Sequence, residues 1–288
     1  MYIHNLNPVI VNFGFIEIRW YSLAYIFGIL IGWWLAKKII QTKINNGEIS
    51  FEIKLFDDLI SYLIISIILG GRIGYVLFYN FSYYLNNPVD IIKIWEGGMS
   101  FHGAMIGIVV GTYFFSKKLN VKTFFFLDVI AIVAPIGIFF GRVANFINSE
   151  LYGKPTEVAW SVIFPLVDQI PRHPSQLYEA FFEGIILFII LITLAFKKSV
   201  GVGKCSAYFM IFYGTFRILA EQFREPDIQI GYLFNFLTMG TLLSSFMILI
   251  GCLIRSASSG NQERNAVPKK SGITSSTAMI WNTSRGSN

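Results

Sequence analysis

The chain has 288 residues, of which 54% are hydrophobic, 17% aromatic and only 14% charged, with a mean hydropathy of +0.58. Soluble domains carry about a quarter charged residues, so the composition excludes an ordinary soluble enzyme and indicates an integral membrane protein. The net charge of +6 sits in short loops between apolar runs, which argues against nucleic-acid binding and for membrane topology.

The start, MYIHNLNPVI, has no basic n-region, so no cleavable signal peptide is expected. A helix needs roughly 17–25 mostly apolar residues to cross the hydrocarbon. Seven stretches predict one: 18–36, 59–79, 103–115, 124–146, 177–196, 206–220 and 233–254. The third and sixth are short and are expected to extend into their flanks. The expected fold is an all-α integral membrane protein, a bundle of about seven transmembrane helices forming one polytopic membrane domain over 1–255.

Basic residues alternate between the loops. Lys37, Lys38, Lys43 and Lys54 follow the first span; Lys117, Lys118 and Lys122 follow the third. Lys197, Lys198 and Lys204 follow the fifth, and Arg255 the seventh. The opposite loops offer only Lys93, then Lys154 and Arg172, then Arg224. The positive-inside rule therefore places the N-terminus outside and the C-terminus in the cytoplasm. Residues 256–288 are polar, rich in Ser and Asn and without periodicity, and read as a disordered cytoplasmic tail. Glycine pairs four apart, such as Gly28 and Gly32, Gly70 and Gly74, or Gly103 and Gly107, read as close helix packing in lipid. Cys205 and Cys252 are too few and too far apart for a disulfide framework or a metal site.

Ionisable groups inside spans face the bundle interior and are functional candidates by default. At about 1.5 Å per residue, Arg72 lies some 20 Å along the second span and Arg142 about 30 Å beyond Lys122, near the outer end of the fourth. Tyr213, Arg217, Glu221 and Arg224 are spaced four, four and three apart, on one helix face. His102 opens the third span from the outside, RHPSQLYE leads into the fifth, and Tyr21 sits near the outer end of the first. These polar groups of six spans share one depth, which predicts a single site in the outer half of the membrane. Blander readings compete: Arg72 as a structural arginine, Asn145 and Asn148 as helix caps, Glu221 as a partner of Arg217 or Arg224.

Guanidinium groups match phosphate oxygens, so a site built from Arg142, Arg217, Arg224 and Arg72 suits a phospholipid headgroup. A histidine's ordinary pKa of about 6.5 makes His102 a proton acceptor at neutral pH. No nucleophile elbow and no metal spacing occur, so no metal or other cofactor is expected and the nucleophile must come from a second substrate. From the residues alone, a transferase or hydrolase acting on a phospholipid and a lipid or solute transporter remain open.

Six motifs in order narrow this. RWYSLAY (19–25), GGRIGYVLFYN (70–80), WEGGMSFHG (95–103), GRVANFINSE (141–150), PRHPSQLYE (171–179) and YGTFRILAEQFREPD (213–227) resemble the bacterial prolipoprotein diacylglyceryl transferases. The resemblance implies a multi-pass enzyme of the bacterial inner membrane whose active site faces the outer leaflet. Its partners would be phosphatidylglycerol and a prolipoprotein signal peptide with a lipobox cysteine. The diacylglyceryl group would pass to that cysteine's thiol, forming a thioether and releasing glycerol phosphate. By the same resemblance, Arg142 binds the headgroup with Asn145, Glu150 and Arg72, and Arg217 holds the phosphate. His102 or Tyr213 helps remove the thiol proton. Tyr21, Asn148, His173, Glu221 and Arg224 support these groups. Ala144 stands where the family usually has glycine, and the outer segment 146–176 is short.

Overall fold

A computed structural model describes residues 1–14, 17–196, 202–226, 232–233 and 237–266. The protein is mainly helical, and five of its helices are long and apolar enough to cross a membrane: Trp20–Asn45, Ile53–Phe78, Thr123–Ile147, Ser175–Ala195 and Met239–Ser258. Side chains such as Leu30, Ile65, Leu69, Ile73, Ile189 and Leu253 point outward from these helices and are exposed, as a lipid-facing surface requires.

In chain order the helices are α1 (Trp20–Asn45), α2 (Asp58–Phe78), the short α3 (Phe81–Asn86), α4 (Phe101–Lys118) and α5 (Thr123–Ile147). Then come α6 (Ser175–Glu179), a π-helical stretch Ala180–Ile186, α7 (Leu187–Ala195), α8 (Lys204–Glu221) and α9 (Met239–Ala266). The two short expected spans do lengthen into their flanks: α4 and α8 each have 18 residues. Neither is among the five long apolar helices, and α8 buries Lys204, Arg217 and Glu221 against its neighbours. The last helix starts six residues later than the sequence suggests, and continues past Arg255 to Ala266. The first part of the expected tail is thus helical, while 267–288 lie outside the described residues.

Three close pairs, α1 with α5, α2 with α4 and α8 with α9, form the frame, and α5 also touches α4, α6, α7 and α8. Small residues set the closest approach: a side chain on Gly70 would run into the backbone of Gly103 and Gly107 on α4, so the two helices meet backbone to backbone. At the lysine-rich end, Ile40, Phe56, Leu59, Phe115, Phe126, Ile132, Leu187 and Leu191 form a dense apolar core. Lys37 pairs with Asp57 at 2.9 Å and Lys118 with Asp58 at 2.7 Å. These bonds put the C-terminal ends of α1 and α4 beside the start of α2.

Asp128, on α5, closes the same end. Its carboxylate accepts from the backbone N–H of Gly203 (2.6 Å) and from the N–H and hydroxyl of Ser206 (both 2.7 Å). One side chain from a neighbouring helix thus satisfies N–H groups that the start of α8 cannot bond internally. Replacing it leaves those donors unpaired in a partly buried place, so Asp128→Ala is expected to cost about 1–3 kcal/mol. Thermal unfolding of the detergent-solubilised protein measures this; an unchanged midpoint would refute the capping role.

At the opposite end a small head covers the bundle. The N-terminal strand β1 (Tyr2–Ile3) pairs in parallel with β4 (Val162–Ile163), which pairs antiparallel with β5 (Pro171–Arg172). A second pair, β2 (Val9–Asn12) with β3 (Glu17–Arg19), leads into α1. His4 is buried between Phe146 and Phe164, with Nδ1 3.3 Å from the Ser149 hydroxyl and Nε2 unpartnered. Burial lowers the pKa of His4, and of His173 in the same head, below the ordinary 6.5. The unfolded chain then binds more protons at acid pH. Stability from these two groups is complete above about pH 6.5 and declines as the pH falls through that value toward the folded pKa. Acidification from pH 7.5 to 5 is therefore expected to loosen the head, and His4→Phe to flatten the dependence. Protease sensitivity of the head against pH tests this; identical curves for both proteins would contradict it.

Candidate active site

Three arginines and three carboxylates gather where α5, α6 with its π-helical continuation, and α8 meet. Arg142 comes from α5, Glu179 ends α6, Glu183 lies in the π-helical turn, Arg217 and Glu221 are one turn apart on α8, and Arg224 follows it. Arg217 Nη1 donates to Glu179 Oε1 at 2.7 Å and Arg217 Nη2 lies 3.0 Å from Glu221 Oε2. Arg142 Nε lies 2.9 Å from Glu179 Oε2, and Arg142 Nη2 donates to Glu183 Oε2 at 3.3 Å. Arg224 Nη1 is 3.6 Å from Glu179 Oε1.

The arrangement has a front and a back. Glu179 and Glu183 are completely buried, whereas the side chains of Arg142 and Arg217 keep 15% and 11% of their surface. The carboxylates thus hold the guanidinium groups from behind. Glu179 and Glu183 are four apart and so share one wall; Glu183 lies in the widened turn Ala180–Ile186, and such turns are frequent at functional sites.

The hydrogen bonding is incomplete. Each guanidinium has five N–H donors, yet Arg142 and Arg217 each direct one hydrogen bond to another described residue. Glu179 Oε2, Glu183 Oε1 and Glu221 Oε2 are buried and accept none, although arginine nitrogens stand close by. Among the described residues, Arg142 and Arg217 thus stand close to carboxylates while several of their N–H donors make no directed hydrogen bond. A group with several negative oxygens arriving at the partly open face meets those donors without any cation having to be recruited.

Tyr213 lies one turn before Arg217, stacked on Phe209 with centroids 5.5 Å apart. It is within electrostatic reach of Arg142, Arg217, Glu179 and Glu183. A second polar group adjoins α5: Asn145 Nδ2 donates to Tyr21 Oη at 3.3 Å and to Glu150 Oε2 at 3.1 Å. Gln176 Nε2 donates to the Glu150 carbonyl at 2.6 Å and ties the end of α5 to the start of α6. The capping alternative holds in part: Asn148 is the C-cap residue of α5 and its backbone N–H bonds the Ala144 carbonyl at 2.9 Å, but neither asparagine side chain is seen to cap the helix. Asn145 reaches Tyr21 and Glu150, and the buried Asn148 Oδ1 has no partner.

The structure thus brings together Arg142, Tyr213, Arg217, Glu221 and Arg224, and separately Tyr21, Asn145 and Glu150. It does not bring Arg72 to them: that guanidinium is bonded to the segment between α3 and α4. His173 sits in the head, with Nδ1 3.1 Å from the Tyr178 hydroxyl and its ring against Phe223. His102 is the second residue of α4; its side chain lies outside the described residues. The sequence reading passed over Glu183 and gave Glu179 no role. The signal was present, since two carboxylates four apart in an otherwise apolar run are functional candidates by default.

Fold and site together define a helical membrane protein whose bundle holds arginines paired with buried carboxylates, two of them partly open. The sequence pattern of the prolipoprotein diacylglyceryl transferase family matches residues 8–256, and the chain belongs to that family. A phosphatidylglycerol–prolipoprotein diacylglyceryl transferase of Rickettsia felis is 50% identical over 249 residues, covering 86% of this chain and 95% of the relative. The similarly named protein of Rickettsia typhi is 51% identical over 253 residues, 87% and 96% of the two chains. That of Rickettsia bellii is 49% identical over 252 residues, 86% and 93%.

Proposed function

We propose that the chain transfers the diacylglyceryl group of phosphatidylglycerol to the thiol of a lipobox cysteine in an exported prolipoprotein, with Arg142 and Arg217 holding the phosphate. The observation that carries this assignment of the site is the pair of partly open guanidiniums, fixed from behind by Glu179 and Glu183, each with one directed hydrogen bond. In the reaction the sulfur attacks the glyceryl carbon that bears the phosphate. The S–C bond forms, the C–O bond breaks, and the electron pair leaves on the phosphate oxygen of glycerol phosphate. A phosphodiester with one negative charge becomes a monoester with a second, and that added charge falls between the two arginines. His102 or Tyr213 assists removal of the thiol proton: a neutral His102 imidazole can take it up on its ring nitrogen, whereas the Tyr213 hydroxyl can only relay it by giving up its own proton. Asn145 and Glu150, joined to Tyr21, shape the neighbouring wall for the glycerol end of the headgroup.

The site is read as opening toward the outer leaflet of the bacterial inner membrane. The lysine-rich ends of α1 and α4 share one end of the bundle with the start of α8, and the arginine cluster lies near the other ends of α5 and α8. With α4 and α8 counted as spans the bundle has seven, the N-terminus is outside and the C-terminus cytoplasmic.

The test is direct. Purified protein in liposomes with phosphatidylglycerol and a lipobox peptide is expected to yield a thioether-linked diacylglyceryl peptide and glycerol phosphate, by mass spectrometry. The same peptide with serine for cysteine is expected to yield none. Absence of the thioether product with the cysteine peptide would end this reading.

A further inference from the structure

Arg72 is only 4% exposed, and every N–H of its guanidinium is directed at a backbone carbonyl. Nε donates to Ile91 at 2.8 Å, Nη1 to Gly97 at 2.5 Å and to Gly98 at 3.2 Å, and Nη2 to Asp90 at 2.6 Å and Lys93 at 3.1 Å. The ring of Tyr84 packs against the guanidinium at 5.2 Å. No donor remains for a phosphate.

We propose that Arg72 is a positioning residue of the transferase: it holds the 90–98 segment, and through it the first turn of α4 with His102, in the conformation the reaction requires. The inference rests on the reading of His102 given above. Beside this fork, the described side-chain contacts include the Tyr83 hydroxyl donating to Asp90 at 2.6 Å and Lys93 paired with Asp90 at 2.6 Å. The segment consists of two short 3₁₀ turns, Pro88–Ile92 and Ile94–Glu96, and Val89, Ile92 and Trp95 turn outward and are exposed. Gly97 and Gly98 adopt φ of +87° and +80°, and a side chain at Gly98 would strike the Tyr75 ring and Arg72 Nη1. Five carbonyls gathered on one planar fork therefore tie together a segment whose apolar side chains Val89, Ile92 and Trp95 turn outward. Immediately afterwards the chain is tied to α2 again. The N–H of Ser100 donates to the Gly71 carbonyl at 2.8 Å, and the Ser100 hydroxyl accepts from Gly103 N at 3.2 Å to cap α4. Residues 71 and 72 thus grip both ends of the passage into α4.

A headgroup contact and a positioning role predict opposite kinetics. With phosphatidylglycerol varied at saturating lipobox peptide, Arg72→Lys and Arg72→Gln are both expected to lower kcat about 10²-fold, as misplacement of a reacting group by an ångström does. The KM for phosphatidylglycerol should stay within about twofold, because the lipid-binding arginines are untouched. Lysine does not rescue, since one ammonium cannot span five carbonyls. The binding stoichiometry of phosphatidylglycerol is measured in parallel and should not change, which separates positioning from loss of folded protein. Should the Arg72 variants not accumulate, Gly98→Ala disturbs the same contact with the guanidinium present, and the same selective loss of kcat is expected. A rise in KM of about tenfold with kcat retained would instead make Arg72 a headgroup contact. Unchanged kinetics, or stoichiometry falling in step with kcat, would equally overturn the proposal. Failure of the wild-type protein to form the thioether would count against the transferase reading, whereas active wild type with unaffected Arg72 variants would count against this inference alone.

Discussion

Arg142→Ala is expected to lower the rate of thioether formation about 10³-fold, and Arg217→Ala by a similar factor, with the double replacement little worse than either. The magnitude follows from removing a preorganised cationic donor at the place where charge develops, which costs about 10²–10³ in kcat. Some loss of headgroup binding adds to it. Less-than-additive behaviour is expected because both arginines share Glu179 at 2.9 and 2.7 Å. Removing one guanidinium frees the carboxylate to bind the other more tightly, which spoils the geometry that remains. Arg142→Lys should recover little, since an ammonium cannot face Glu179, Glu183 and a phosphate with a rigid fork. Rates with saturating phosphatidylglycerol and lipobox peptide, referred to folded protein, measure all of this. An Arg142→Ala protein within tenfold of wild type would remove the cluster from the mechanism.

Glu179→Ala is expected to destabilise the protein by about 3–5 kcal/mol as well as inactivate it, because it leaves buried positive charge unopposed. Glu179 is fully buried and stands within 3.6 Å of three guanidiniums, those of Arg142, Arg217 and Arg224. Without it, Arg142, Arg217 and Arg224 all lose the carboxylate they share. Glu179→Gln retains the shape but turns an amide donor toward cations, and should fall between wild type and alanine. Combining Glu179→Ala with Arg217→Ala should restore part of the lost stability, since each removes the other's unpaired charge. Thermal unfolding in detergent, run beside the activity assay, separates the two effects. A Glu179→Ala protein as stable as wild type would mean that the arginines are held in some other way.

Parts of this site are visible in the sequence because they obey helix geometry. Arg217 and Glu221 are four apart and do meet, at 3.0 Å; Tyr213 precedes Arg217 by one turn on the same helix. Arg142 near the end of an apolar run, with Asn145 and Glu150 close behind it, declared itself in the same way, and the asparagine and glutamate do bond at 3.1 Å. What escaped was partnership across helices. Nothing in the spacing of Glu179 and Glu183 says that they neutralise Arg142 and Arg217. Nor does anything around Arg72 announce that its donors will be taken by carbonyls 18 to 26 residues away.

By itself, the sequence determined that this is a helical membrane protein, where its apolar stretches fall, and which polar residues those stretches cannot leave in lipid. It could do so because hydrophobic length and the 3.6-residue turn act locally, along one segment at a time. Only the tertiary structure decided which buried charge opposes which. It also decided that the second carboxylate lies in a π-helical stretch, and that β1 at the N-terminus closes the head by pairing with β4 some 160 residues on. A buried charge is stabilised by whatever lies within a few ångströms of it in space. Those neighbours come from three separate stretches of the chain, around 142, 179–183 and 217–224, and packing alone brings them together.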